Sequence, residues 1–394
     1  MTGGVRRVWR GLRSAGAAGM VALAVLVLSG GSAAAAETPH WTLVASPDPS
    51  ADYNFLTGVS CASASLCMGV GDYFNGTFWQ TLTARWSGSK WAQVSSPDPS
   101  TVDYNELEGV SCASATFCVA VGYYYDNGTP QSLVLSWNGT RWAQVSSPDP
   151  GNTDELYGVS CPSTKFCVAS GYYYDVTTQR ALVLRWSGSG TKWAQVSSPD
   201  PGNADELYGV SCRSVSFCMA DGYYLNGTIQ QTLALRWSGT KWAQVSSPDP
   251  GKGQDNYLSG VSCTSTSFCM ASGYYHNGTA GVWQTLTARW SGIKWARVSS
   301  PDPGKGQDNY LSGVSCTTAS FCVASGYYYN GTAGADQTLA LRWSGIKWVQ
   351  VSSPNAGTGQ QNFLEGASCT STSFCMAAGE YYNGTANETL IEKW

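Results

Sequence analysis

Apolar and polar positions alternate in short runs along this chain, and the runs recur. The segment 107–122, L-E-G-V-S-C-A-S-A-T-F-C-V-A-V-G, returns seven times with small changes. None of these segments carries the 3.6-residue apolar period of an amphipathic helix; their period is two, which predicts strands. Four strand candidates follow one another in each unit. In the second unit they are 109–112, 117–125 (rich in aromatic and β-branched residues), 132–137 with Leu133 and Leu135 alternating, and 142–146. Asn127-Gly128, a favoured hairpin pair, joins the second to the third. The dipeptide recurs at 75, 226, 277, 330 and 383. Asn138-Gly139 or Ser-Gly turns join the third to the fourth, and proline, as at Pro148, ends the fourth.

The first cysteines of the units stand at 61, 112, 161, 212, 263, 316 and 369, a spacing near 50 residues. Repeated four-strand units of that length predict an all-β chain, a seven-bladed β-propeller with four antiparallel strands per blade. The ends of the chain predict how the ring shuts. The fourth-strand signature W-x-x-V occurs at Trp91, Trp142, Trp193, Trp242, Trp295 and Trp348, and a seventh copy, Trp41-Thr42-Leu43-Val44, stands alone near the start. The chain stops at Trp394 on a third strand with no fourth. Residues 40–46 are therefore expected to complete the last blade beside 389–394 and so remove the open sheet edges. Residues 37–394 are read as this single domain.

Residues 1–36 read as a secretory signal: Arg6, Arg7, Arg10 and Arg13, then a short apolar stretch, then an Ala-rich cleavage site at 33–36. Arg6-Arg7 raises twin-arginine export beside the general route. The apolar stretch is too short to span a bilayer, and no other stretch could. Without that segment the charge is 18 basic against 26 acidic residues, a net of −8, which argues against nucleic-acid binding. Fourteen cysteines in an exported chain suggest disulfides. They fall as seven pairs with five residues between, and a repeated unit most simply pairs within itself: Cys61–Cys67, Cys112–Cys118, Cys161–Cys167, Cys212–Cys218, Cys263–Cys269, Cys316–Cys322 and Cys369–Cys375. Each would clip the innermost strand to the second and add roughly 2 kcal/mol. Zinc would need closer cysteine spacing and more histidine than His40 and His276 supply, so no metal and no cofactor is expected.

The pattern L-x-G-V-S-C…A-V-G followed by L-R-W-S-G-x-K-W-x-x-V resembles BNR-type repeats. These occur in sialidase-type and photosystem II assembly-factor-like propellers. The Asp-box of that family is shortened here to forms such as Ser187-Gly188…Trp193 and Ser238-Gly239…Trp242, without the aspartate. The resemblance implies a propeller and carries over no activity. A sialidase-like site needs three convergent arginines. Arg85, Arg185, Arg236, Arg289 and Arg342 occupy one repeated position and are spread around the ring. His276, beside a turn asparagine, offers no triad. Asp154-Glu155 and Asp205-Glu206 are the carboxylate pairs a glycoside hydrolase or lyase would draw on, and adjacent loop acids are usually solvated. No enzyme is expected.

Charge is sorted by repeat position. Blade-joining loops and second-to-third turns share one face of such a disc, and 24 of the 26 acids map there; Glu37 and Glu392 do not. Fifteen of the 18 bases map to the other face; Arg180, Lys252 and Lys305 are the exceptions. The acidic face gathers three repeated positions. The first holds tyrosines, among them Tyr124, Tyr173, Tyr224, Tyr275 and Tyr328. The second holds Asn54, Asn105, Asp154, Asp205, Asn256, Asn309 and Asn362, and the third holds Gln80, Gln131, Gln231, Gln284 and Gln337. Aromatic surface beside amides and carboxylates suits neutral or cationic sugars. The plainer account is that the tyrosines fill wedges between blades and the amides cap turns. The chain is thus read as a secreted, monomeric binding module. Its acidic face would take a protein ligand or, as a multivalent lectin-like surface, a glycan. Its basic face would suit an anionic cell-wall polymer.

Overall fold

In the computed structural model, which describes residues 40–188, 192–357 and 359–394, seven four-stranded antiparallel sheets follow one another along 40–394. The 1–36 signal lies outside the described residues. Blades 1 to 7 span 54–93, 105–144, 154–195, 205–244, 256–298, 309–351 and 362–393. In blade 2 the strands are Asn105–Ser114, Phe117–Asp126, Thr129–Trp137 and Trp142–Gln144, in that order from the axis outward. Thr42–Leu43 supplies the outer strand of blade 7, with Thr42 opposite Lys393 and Leu43 opposite Glu392. The Trp41 and Trp394 rings meet at 5.7 Å, and Trp41 is buried. The ring is shut by its own two ends.

The inner strand corrects the expectation of a four-residue element: it runs ten residues, from Asn105 rather than Gly109. A bulge between Leu107 and Gly109 breaks the alternation of apolar positions and hides the first half in the sequence. The repeated glycines explain the bulge and the axis. A side chain on Gly158 would come within 2.6 Å of Tyr208 O and 2.7 Å of Ser170 Oγ, and within 3.2 Å of the Gly209 Cα of the next blade. The inner strands therefore touch backbone to backbone around the axis. Two residues farther along the same strand, the serine of V-S-C bonds the neighbouring blade. Ser60 Oγ accepts from Cys112 N–H at 3.0 Å and Ser111 Oγ from Cys161 N–H at 2.9 Å. The series runs on until Ser368 Oγ accepts from Cys61 N–H at 2.9 Å. Seven such bonds close a circle. The seven expected disulfides are all formed, each just outside it, between inner and second strand.

Between blades the core is aliphatic near the axis and indole-rich at the rim. Blade 1 gives Leu56, Leu82, Trp86 and Trp91 to a cluster completed by Phe374, Met376 and Ile391 of blade 7. The tryptophans that flank the outer turns pack at 5.7–5.9 Å, as in Trp86–Trp91 and Trp290–Trp295. In blade 3, Trp186 stacks on Phe117 of blade 2 at 5.4 Å and packs against the cluster that holds Trp193. The segment between Trp186 and Trp193 is two residues longer than in blade 4, yet Leu184 still lies opposite Gln195 and Arg185 opposite Ala194, the register of Leu235–Gln244 and Arg236–Ala243 in blade 4. The Asn-Gly turns also split. Only Asn127 adopts a positive φ, 50°, beside Gly128 at 80°. Asn75, Asn277, Asn330 and Asn383 instead accept backbone N–H groups two and three residues on, as in Asn75 Oδ1 from Thr77 N and Phe78 N at 2.9 Å.

Candidate binding face

The face holding the blade-joining loops is built on two side-chain anchors per blade. The first is the Ser-Pro-Asp loop. Thr232 N–H donates to Asp249 Oδ1 at 2.7 Å, and its hydroxyl lies 2.7 Å from Ser247 Oγ. Ser132 with Asp149 and Thr285 with Asp302 repeat this, and Asn355 serves Thr338 in blade 6. Burial pushes the carboxyls of Asp48, Asp98, Asp200, Asp249 and Asp302 up, against the bonds that hold them down. The second anchor is the Asn/Asp position. Asn105 takes Ser100 N–H at 2.8 Å and returns its amide to Ser100 O, while Asn256 and Asn309 do the same with Gly251 and Gly304. Asp154 and Asp205 can accept but not donate while ionised. Both are buried, and burial pushes each up to about 7. This ring is thus enclosed by its own loops.

The tyrosine and glutamine positions pair across the second and third strands. Tyr224 donates to Gln231 Oε1 at 2.6 Å, Tyr275 to Gln284 at 2.6 Å and Tyr328 to Gln337 at 2.9 Å. Tyr124 lies opposite Gln131, whose amide donates to Pro130 O, and Tyr173 lies opposite Arg180, which pairs with Asp175 at 3.1 Å. Tyr224 lines a polar groove of ≈ 320 Å³ with Thr232, Gln244, Ser246, Ser247 and Asp249. The corresponding place in blade 5 is covered by Arg297, whose guanidinium donates to Tyr275 Oη at 2.8 Å.

Closer to the axis lies a layer the sequence reading missed. Glu106, Glu155 and Glu206 are buried and bonded to tyrosines: Tyr123 donates to Glu106, Tyr157 to Glu155 at 2.7 Å, and Tyr223 to Glu206 at 2.9 Å. Gln179 Nε2 adds 2.7 Å to Glu206, whose carboxyl burial still pushes up to about 7. Asp72, Asp221 and Glu380 are buried as well, so much of the acidity mapped to this face is internal. Aromatic rings run round the same layer. From Tyr157 they pass through Tyr208, Tyr223, Tyr257, Tyr274, Tyr310 and Tyr327 to Phe363, with neighbouring centroids 4.7–5.9 Å apart.

Blades 1 and 2 lift this belt to the surface. Tyr53 (46% exposed) and Tyr104 (41% exposed) flank Trp79, at 5.8 and 6.2 Å, and Phe74 lies behind Trp79 at 5.6 Å. Trp79 starts a third strand at a position that holds Pro130, Gln179, Gln230, Trp283, Asp336 and Asn387 in the other blades. That departure from the repeat is the signal in the sequence. Trp283 makes a second patch with Tyr257, Tyr274, His276 and Tyr310. On the opposite face the repeated bases lie over rings: Arg185 over Trp237 at 5.8 Å, Arg289 over Phe268 at 5.4 Å, and Lys393 over Trp86 at 5.7 Å. Among the described residues no three His, Cys, Asp or Glu side chains group as a metal site.

No family model matches the chain, and no curated protein matches it in sequence. Among solved structures it is similar to YCF48 from Cyanidioschyzon merolae, with 14% identity and a TM-score of 0.53 over 90% of this chain and 98% of that one. A structure titled YCF48 bound to D1 peptide aligns over 72% of this chain and 80% of that one, with 10% identity and a TM-score of 0.44. The chain shares its propeller fold with the red-algal YCF48.

Proposed function

We propose that this chain is an exported, monomeric, non-catalytic propeller that binds a protein partner through its acidic face. The observation that carries the reading is the exposed Tyr53–Trp79–Tyr104 cluster, because exposed aromatic rings grouped on a rigid surface are what protein interfaces bury. The repeats are read as BNR-like units that have kept the blade and lost the Asp-box. Residues 1–36 are read as the cleaved export signal, and seven disulfides suit an oxidising compartment. The carboxylates and hydroxyls that could serve chemistry are held in loop anchors or in the tyrosine layer, which supports binding over catalysis. The basic face carries exposed Ile293 and Ile346 beside Lys294 and Lys347, a surface for an anionic cell-wall polymer whose binding should weaken steeply with salt. Photo-crosslinking tests the main reading. A benzophenone side chain at Tyr53 should capture one discrete partner from the secreting cells' envelope fraction, and one at Ile346 should not. Capture of the same partner only from position 346 would reverse it.

The groove beside Tyr224 supports a second reading, a lectin-like surface for neutral or cationic glycans. A tyrosine ring edge, Gln244, two serine hydroxyls and Asp249 offer a sugar several hydrogen bonds. Glycan-array signal that disappears in Tyr224→Ala would favour it, and a blank array would remove it.

A further inference from the structure

We infer that the Tyr53–Trp79–Tyr104 surface takes an extended, positively charged peptide segment, with Arg or Lys side chains at alternate positions laid against the rings. This rests on the protein-binding reading above and names the partner's chemistry. Three observations converge. The ring spacing is the first. Tyr53 to Trp79 is 5.8 Å and Trp79 to Tyr104 is 6.2 Å. Side chains two apart on one face of an extended strand recur about every 6.6 Å. Successive same-face side chains of a bound strand therefore meet successive rings.

Charge is the second. Each exposed part of the cluster has an acid next to it in the chain: Asp52 before Tyr53, Asp103 before Tyr104, and Asp126 after Tyr125, whose ring lies 5.4 Å from Tyr104. The bases mapped to this face, Arg180, Lys252 and Lys305, belong to blade 3 and to the loops entering blades 5 and 6. The Trp79 surface therefore offers aromatic rings and carboxylates together. A cation gains from both, while an acidic peptide is repelled and a neutral one gains from the rings alone. The third observation is an internal contrast. Trp283 holds the same repeat position, but its patch adjoins two loops of mixed charge, Lys252 with Asp255 and Lys305 with Asp308, whose carboxylate accepts from Trp283 N–H at 3.0 Å, and it includes His276, so it lacks the one-sided field.

Fluorescence anisotropy on the oxidised full chain tests this with three labelled 12-residue peptides: alternating Gly-Arg, the same with Gln for Arg, and the same with Glu. Trp79→Gln and Trp283→Gln place at each patch the residue that blades 3 and 4 carry there, so both should fold, and their thermal midpoints check it. The expected result is binding of the Gly-Arg peptide, weakened about five- to tenfold by Trp79→Gln and changed less than about twofold by Trp283→Gln. The triple change Asp52→Asn, Asp103→Asn and Asp126→Asn should weaken it similarly and flatten its salt dependence. If the Gln or Glu peptide binds as well as the Arg peptide, or Trp79→Gln leaves binding unchanged, the inference falls while the protein-binding reading stands. If no peptide binds, the inference falls too, and crosslinking from Tyr53 decides the protein-binding reading separately.

Discussion

Glu392 gives the sharpest test of the energetics at the seam. It sits in the last strand opposite Leu43, at a repeat position that holds Ala84, Leu135, Leu184, Leu235, Ala288 and Leu341 elsewhere. It is fully buried, and both carboxyl oxygens lie 2.9 Å from Ser353 Oγ. Burial pushes it up to about 8 from an ordinary 4.5, against the Ser353 bond. The folded chain therefore holds this proton over a window in which the unfolded chain releases it, and raising the pH favours unfolding. The penalty is absent below about pH 4.5, grows through neutrality and is complete above about pH 8. Between pH 5 and pH 7 it amounts to ~2.5 kcal/mol. Asp154, Asp205 and Glu206 act in the same direction, so the whole protein should lose stability over this range; Glu392→Gln isolates one contribution. Denaturant midpoints of wild type and variant, disulfides intact, should converge near pH 5 and diverge by pH 8, with the variant the more stable. Parallel profiles, or a wild type that gains on the variant as pH rises, would refute the burial argument.

The remaining predictions concern the repeat. Ser111→Ala leaves the Cys161 N–H without its acceptor in the axial circle and should cost ~1–3 kcal/mol by denaturant unfolding; a loss below about 0.5 kcal/mol would mean the circle adds little. Asp149→Asn should be nearly neutral, since Asn355 already does this work in blade 6, whereas Asp149→Ala should cost ~1 kcal/mol; equal losses for both would show the charge matters more than the bond. Reduction of the disulfides should lower the thermal midpoint of the folded ring, each loop contributing ~2 kcal/mol, and an unchanged midpoint would contradict the stapling role.

The architecture was legible because it is written seven times: the cysteine spacing marked the blades, and the stray Trp41 signature matched the missing strand after Trp394. What could not be read lies between units. Ser60 looks like a small strand residue until Cys112 of the next blade is placed beside it, 52 positions along the chain. Glu155 and Glu206 looked like loop acids because the bulges before Gly158 and Gly209 conceal the strands in which they lie. Tyr224, Tyr275 and their glutamines were found as a column, but their hydroxyl–amide pairing appears only once second and third strands are in register. Trp79 was overlooked for the opposite reason. Attention to what repeats passes over the position where the repeat fails, and that is where the rings reach solvent.

Hydrogen–deuterium exchange of the protein with and without its crosslinked partner, or with the Gly-Arg peptide, addresses the binding face most directly. The account predicts protection in 51–56, 73–80 and 103–106, and none in the basic-face turns 62–66 and 87–90. Protection confined to those turns, or spread evenly over all seven blades, would contradict it.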